Sequence, residues 1–161
     1  MRTNRFAIFT TVLLLAALAL AVTAAAADQH SGTWKMNADK SKYSPGPAPK
    51  STTVKVEADE KGVKIDAEIV NADGSPAHVQ YDAKSAGKDY PVTGIAYADA
   101  DAVSVKRIDA DTIEATMKKG GQVTMTVTTK VSKDGKTRTS TFKGKDAEGH
   151  AVHNVVVSDK Q

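Results

Sequence analysis

Apolar and polar residues alternate strictly in the segment Val63-Lys64-Ile65-Asp66-Ala67-Glu68-Ile69. A period of two is the period of a β-strand, because successive side chains of a strand point to opposite faces. One face of this strand is therefore expected to be dry and the other wet, as in an antiparallel sheet that packs around its own interior.

The same alternation recurs along most of the chain after Ala27, and short polar or glycine-rich turns interrupt it. Pairs such as Gly120-Gly121 and Asp134-Gly135 are typical of tight hairpins, where a positive φ is needed. We predict ten strands, near 31–36, 52–59, 62–70, 76–84, 88–93, 102–108, 112–119, 121–132, 136–143 and 150–158. This pattern indicates an all-β fold, an antiparallel up-and-down meander closed into a barrel of about 8–10 strands, with a sandwich as the alternative.

The first 27 residues have the pattern of a secretory signal peptide. Arg2 and Arg5 precede a long apolar run, and the small residues Ala24 to Ala27 follow it. We predict cleavage between Ala27 and Asp28, a periplasmic or secreted domain, and no stable membrane insertion afterwards. The alternative is a retained anchor, because about 20 apolar residues can span a bilayer. An alanine-rich second half and the lack of a following basic cluster favour cleavage.

Residues 28–161 make up the predicted domain, which is long enough for one compact core. The chain has no cysteine, so burial and strand pairing must hold the domain together and a lipid-modified cysteine is excluded. Arg2 and Arg5 carry two of the three net positive charges, which leaves the domain near +1. Interleaved charges of both signs give no footprint of a nucleic-acid partner.

The segment Gly32-Thr33-Trp34-Lys35 lies on the first predicted strand. A Gly-x-Trp at this place, followed by a meander, resembles the calycins, which are the lipocalins and fatty-acid-binding proteins. In that superfamily the tryptophan seals one end of the barrel, and the resemblance implies the same for Trp34. The chain also resembles a group of uncharacterised exported bacterial proteins that begin with the same four residues.

Two departures from the fatty-acid-binding proteins limit what the resemblance implies. Those proteins cover the barrel with a helix–turn–helix after the first strand, whereas residues 37–51 are too short and too proline-rich for two helices. They also bind the fatty carboxylate with Arg and Tyr side chains on the last strands, and Asn154-Val155-Val156-Val157-Ser158 contains neither. The proline-rich segment Ser44–Pro49 is expected to be a stiff surface connection or, alternatively, a lid over one barrel end.

The four histidines offer no convincing metal site. His150 and His153 are three residues apart on a predicted strand and so face opposite sides of the sheet. His30 falls in a new N-terminus that is expected to be mobile, and surface positions are expected for all four. We therefore predict no metal and no cofactor.

No motif of nucleophilic or phosphate-handling enzymes is found, and we predict no catalytic residue. An enzyme is therefore the third hypothesis. The basic residues Lys106, Arg107, Lys130, Lys133, Lys136 and Arg138 are expected on solvated strand faces, where lysines also discourage edge-to-edge aggregation.

The inward-facing positions of the predicted strands are mostly of modest size. They are Val54, Val56, Val63, Ile65, Val79, Tyr81, Val103, Val105, Ile113, Met117, Val123, Met125, Val127 and Phe142. Such side chains leave room for a cavity in a round barrel or fill a flattened one. The leading hypothesis is a barrel that binds a small apolar or amphipathic ligand, and the ligand-contact residues proposed for it are Trp34, Tyr81, Val105, Met117, Met125 and Phe142. The rival is an interaction module with a filled barrel, which would use its outer face, the proline-rich segment or the loop Ala98–Ala102. The sequence does not predict the oligomeric state.

Overall fold

The computed structural model describes residues 28–94, 99–146 and 148–161. The predicted signal peptide and the start of the Ala98–Ala102 loop lie outside these residues. Within them, eleven antiparallel strands form one sheet, in the order β5-β7-β8-β9-β10-β11-β1-β2-β3-β4-β6. The strands are β1 Gly32–Met36, β2 Ser51–Ala58, β3 Gly62–Val70, β4 Pro76–Lys84, β5 Asp89–Pro91, β6 Thr93–Gly94, β7 Ala102–Arg107, β8 Thr112–Lys119, β9 Gln122–Val131, β10 Thr137–Lys145 and β11 Ala151–Lys160. The predicted all-β antiparallel meander is confirmed.

The barrel is nearly closed by one segment that was predicted as a single strand near 88–93. Its first part, β5, pairs with β7, with Tyr90 opposite Val103. After Val92 the chain crosses to the other edge, where β6 pairs with β4 and places Gly94 opposite Val79. This change of partner accounts for the eleventh strand.

One end of the barrel is sealed around Trp34, whose side chain is fully buried. We call this the closed end; it includes residues 28–31 and the turns β2–β3, β7–β8 and β9–β10. The backbone conformation explains why the Gly-x-Trp pattern has a glycine at its first position. Gly32 has a φ of +133°, and a Cβ at this position would lie 2.6 Å from Cε of Lys160. The Lys160 ammonium in turn lies 5.0 Å from the centre of the Trp34 ring.

The core follows the predicted alternation on nearly every strand. On β3, for example, Val63, Ile65 and Ala67 are buried while Lys64 is exposed. Val123 is the exception among the predicted interior residues, since 61% of its surface is exposed. It lies one residue into β9, beside the Gly120-Gly121 turn, and a bulge after Met117 shifts the register of this hairpin. At the hairpin tip the inward face of the strand is no longer covered.

A short 3-10 turn at Ala38–Lys40 follows β1. Among the described residues, no helix has the length and apolar character needed to cross a bilayer.

Candidate ligand site in the barrel interior

A cavity of about 90 Å³ lies inside the barrel. Its wall is formed mainly by aliphatic side chains from β2, β3, β4, β8 and β9, with further contributions from β10 and β11. The apolar lining residues are Val54, Val56, Val63, Ile65, Ala67, Ile69, Val79, Ile113, Ala115, Met117, Val127, Phe142 and Val156. Several of these positions carry only alanine or valine, so the opposing faces of the barrel do not fill the space between them.

Two hydroxyl groups in this wall satisfy each other. The side chains of Thr129 and Ser140 are buried on adjacent strands, and their hydroxyl oxygens are 2.9 Å apart. Thr52 also lines the cavity, but its buried hydroxyl has no hydrogen-bond partner among the described residues. A buried polar group without a partner costs free energy, so Thr52 marks a point where a polar atom of a ligand or water would be stabilised.

The sequence-based prediction for the position of Arg138 is wrong. Arg138 was assigned to a solvated basic face, but it lines the cavity. Burial lowers the pKa of its guanidinium, and no described carboxylate forms a salt bridge with it. An arginine still keeps its charge in a protein. Within the described part of the chain, the cavity wall therefore contains a positive charge that no carboxylate pairs with.

The sequence did indicate that the side chain of Arg138 points into the barrel. Phe142 was placed inside the barrel, and a period of two puts Ser140 and Arg138 on the same face of β10. The charge of Arg138 outweighed this alternation in the prediction, because charged side chains are almost never buried without a partner.

Tyr81 lies near Arg138 in the cavity wall. Burial raises the pKa of the Tyr81 phenol, and the charge of Arg138 acts in the opposite direction. The phenol is therefore protonated and can donate a hydrogen bond. Tyr81 and Arg138 are surrounded by protein yet keep some accessible surface, which is expected of groups that line an internal cavity.

The sequence-based prediction for the position of His30 is also wrong. His30 was expected at the surface of a mobile N-terminus, but its side chain is only 1% exposed and forms part of the cavity wall. Nε2 of its ring has no hydrogen-bond partner among the described residues. Burial lowers the pKa of His30 from its ordinary 6.5; Asp28 and Asp111 act to raise it, and Arg107 and Arg138 add to the lowering.

The segment that carries His30 is held by a network at the closed end. The indole Nε1 of Trp34 donates to the carbonyl oxygen of His30 at 2.9 Å. The carboxylate of Asp28 forms a salt bridge with Arg107, and its other oxygen accepts from the backbone N–H of His30 at 2.9 Å. The Gln29 amide donates to the Asp111 carboxylate and, at 3.1 Å, to the Ala110 carbonyl. No local sequence pattern predicts the contacts of this segment with Arg107, Ala110 and Asp111, because these residues are far away along the chain.

The six predicted ligand-contact residues fall into two groups. Tyr81, Met117 and Phe142 line the cavity. Trp34, Val105 and Met125 are buried in the core but lie outside the lining. Contact of any of these six residues with a ligand stays a prediction.

The start of the proline-rich connection reaches the cavity. Tyr43 lines it, and its hydroxyl contacts Sδ of Met36 at 3.1 Å. Lys42 pairs with Val155 through hydrogen bonds of 2.7 and 2.8 Å, so this segment continues the sheet beside β11 where β1 has ended. Residues 45–48 beyond it are exposed, as expected of a surface connection.

A second group of polar side chains lies in the turn before β11. Asp146, Glu148 and His150 bring ligand-type atoms within 4.8 Å of one another. The Asp146 carboxylate accepts from the backbone N–H of His150 at 2.7 Å and contacts the His150 ring at 3.1 Å, which explains the grouping as a turn. Glu148 and His150 are exposed, and exposed acidic groups commonly gather without an ion, so we assign no metal site here.

Comparisons with known proteins add little beyond these observations. No protein-family model matches the chain, and no curated protein matches it. Among solved structures, the ileal bile acid-binding protein of zebrafish, crystallised with cholic acid, matches with a TM-score of 0.47 and 12% sequence identity. The match covers 83% of this chain and 99% of that chain. So distant a match carries no argument about function. The strand order and the cavity themselves define a small, nearly closed antiparallel β-barrel with an internal cavity.

Proposed function

We propose that this protein is an exported carrier or receptor that binds a small amphipathic molecule non-covalently inside its barrel. The observation that carries the proposal is an apolar cavity with the guanidinium of Arg138 in its wall, which no carboxylate of the described residues pairs with. Ligand sites in proteins typically combine a mostly apolar wall with a few polar groups that fix the orientation of the ligand.

The aliphatic wall supports an apolar body for the ligand. Each Å² of apolar surface removed from water contributes about 25 cal/mol to binding before the cost of association is subtracted. The volume of about 90 Å³ supports a small body. Pockets for drug-sized molecules measure roughly 300–1,000 Å³, whereas an engineered cavity of roughly 150 Å³ holds benzene. This cavity is smaller than the one that holds benzene, so its volume favours a short alkyl chain over a ring.

Arg138 supports an anionic group on that body. A buried cation without a counter-ion is costly, and an anion in the same low-dielectric space offsets that cost. A carboxylate can accept two parallel hydrogen bonds from one guanidinium, and the protonated phenol of Tyr81 can donate a further one.

Export is part of the proposal and rests on the leader pattern of residues 1–27. Mass spectrometry of the N-terminal peptide from a periplasmic fraction tests this. We expect Asp28 at the N-terminus, and a chain that retains Met1 in the cytoplasm would contradict it.

The binding proposal is tested with straight-chain carboxylates from butanoate to octanoate, by NMR titration of the purified protein. We expect saturable shifts of cavity resonances, with an optimum chain length set by the cavity. Ala115→Leu should weaken binding at least tenfold, because it places a larger side chain in the cavity wall where Ala115 is buried.

Val123→Leu is the matched control, since Val123 is exposed at the β8–β9 hairpin tip and should leave binding unchanged. Circular dichroism establishes that both variants are folded. Equal binding by the Ala115 variant, or no binding of any carboxylate by the wild type, would refute an interior carboxylate site and favour the filled-barrel interaction module.

A further inference from the structure

His30 is a buried titratable group for which the barrel architecture alone gives no purpose. A seal at the closed end needs an apolar side chain, yet the ring of His30 lies in the cavity wall with Nε2 unpartnered and 1% of the residue exposed. Leaving a buried nitrogen without a hydrogen bond costs free energy that a leucine or phenylalanine at this position would not incur.

We propose that His30, together with Arg138 and Tyr81, makes a polar contact with the ligand's anionic group and takes up one proton from solvent when that group binds. This inference rests on the proposed function. It makes the protein a proton-coupled anion binder, whose affinity rises as the pH falls. The covalent change is one new N–H bond on the imidazole ring, and the proton comes from the surrounding water.

Four charged side chains, each on a different part of the fold, act on the His30 ring. Asp28 lies on its own segment, Arg107 on β7, Asp111 in the β7–β8 turn, and Arg138 on β10. Asp28 is already paired with Arg107, and the Asp111 carboxylate accepts from Gln29. Lys160 of β11 bonds the Gln29 carbonyl and lies over the Trp34 ring. Among the described residues, Arg138 is thus the charged neighbour of His30 whose side chain has neither a salt bridge nor a hydrogen bond.

The surroundings of His30 in the cavity wall favour the neutral form of its ring. Burial disfavours the imidazolium and lowers the pKa of His30, and the nearby Arg138 charge adds to this. A bound anion reverses the local charge balance, because it offsets Arg138 and places a negative charge beside the ring. The imidazolium is then favoured, and both ring nitrogens can donate hydrogen bonds.

The test follows the pH dependence of binding between pH 5.5 and 8, with the straight-chain carboxylate that binds most tightly and with the alkane-1-sulfonate of the same chain length. The sulfonate stays fully ionised over this range, and the carboxylate stays mostly ionised. We expect the affinity of wild type for both to rise as the pH falls, by up to tenfold per pH unit. Calorimetry in two buffers of different ionisation enthalpy should show uptake of up to one proton per ligand.

His30→Gln removes the titration but keeps a hydrogen-bonding side chain, and the backbone carbonyl that accepts from Trp34 remains. We expect binding by this variant with no pH dependence and no proton uptake. His78→Gln is the matched control, because His78 lies on the outer surface and contacts the Asp66 carboxylate at 2.8 Å. In the His78→Gln variant, the affinity should depend on pH as it does in wild type.

NMR of the His30 ring in wild type gives a second readout that needs no variant. Its pKa should rise on saturation with either anion. If the carboxylate binds with an affinity that does not change with pH, without proton uptake and without a rise in the pKa of His30, the inference is overturned and the proposed function stands. If neither anion binds, both are overturned.

Discussion

The indole Nε1 of Trp34 donates a 2.9 Å hydrogen bond to the backbone carbonyl of His30. This bond satisfies the polar atom of a tryptophan that is otherwise fully buried. It also fixes the N-terminal segment against the closed end, so that the His30 side chain lies in the cavity wall. The seal of the barrel and the candidate ligand site are therefore parts of one arrangement.

Gly32→Ala should destabilise the domain by about 1–3 kcal/mol, because a Cβ at this φ is strained and also meets Lys160. Gly87→Ala is the control, since Gly87 has a positive φ but open space around the position. It should cost less than Gly32→Ala, about 1 kcal/mol, because only the strain of the left-handed conformation remains. Urea unfolding of both variants measures the difference, and equal losses would show that the contact with Lys160 does not matter.

The Asp28–Arg107 salt bridge should contribute measurably to stability, because only 13% and 21% of the two side chains are exposed. We expect a coupling free energy of about 1–2 kcal/mol in a double-mutant cycle of Asp28→Asn and Arg107→Met. Exposed pairs such as Lys64–Glu57 should give about 0.5 kcal/mol or less. A coupling near zero for Asp28 and Arg107 would mean that the N-terminal segment does not hold the closed end.

Arg138→Met should stabilise the ligand-free protein by about 1–2 kcal/mol, because it replaces an unpaired charge in the cavity with an apolar side chain of similar length. The same variant should lose carboxylate binding. Lys143→Met, at an exposed position on the same strand, should change the stability by about 0.5 kcal/mol or less. A destabilised Arg138 variant would mean that the guanidinium already has a favourable partner.

His30 should make the ligand-free protein less stable in mild acid. Its pKa is lowered by burial from 6.5, so the unfolded chain takes up a proton near pH 6.5 while the folded protein does not. The contribution of His30 to the free energy of unfolding is therefore fully present above pH 6.5. It decreases as the pH falls, until the pKa of His30 in the folded state is reached. His30→Gln should flatten the curve of unfolding free energy against pH between about 7 and 5. An unchanged slope would contradict a buried neutral His30.

Much of the fold could be predicted from the sequence, because an antiparallel barrel is built from local alternation and short turns. The strand boundaries of β3 and β4 were predicted to the residue. The split at Val92 was missed, since a change of pairing partner leaves no mark on alternation. Val123 was misplaced because alternation says which way a side chain points but not whether anything covers it there.

The candidate site was less predictable than the fold. Its apolar wall follows from alternation, and Tyr81, Met117 and Phe142 were placed in the interior on that ground. Arg138 was misassigned because its charge suggested solvent, although Phe142 four residues later implied the inward face. His30 could not be placed, since its position depends on contacts of its segment with Arg107 and Asp111 far along the chain.

Native mass spectrometry of the protein purified from the periplasm of its natural host tests the central claim most directly. We expect a discrete additional mass, released on denaturation, and we expect it to be reduced or lost in the Ala115→Leu variant but kept in Val123→Leu. The released molecule should be small and anionic. A bare polypeptide mass for wild type, together with the failure of every carboxylate to bind, would contradict an interior ligand site.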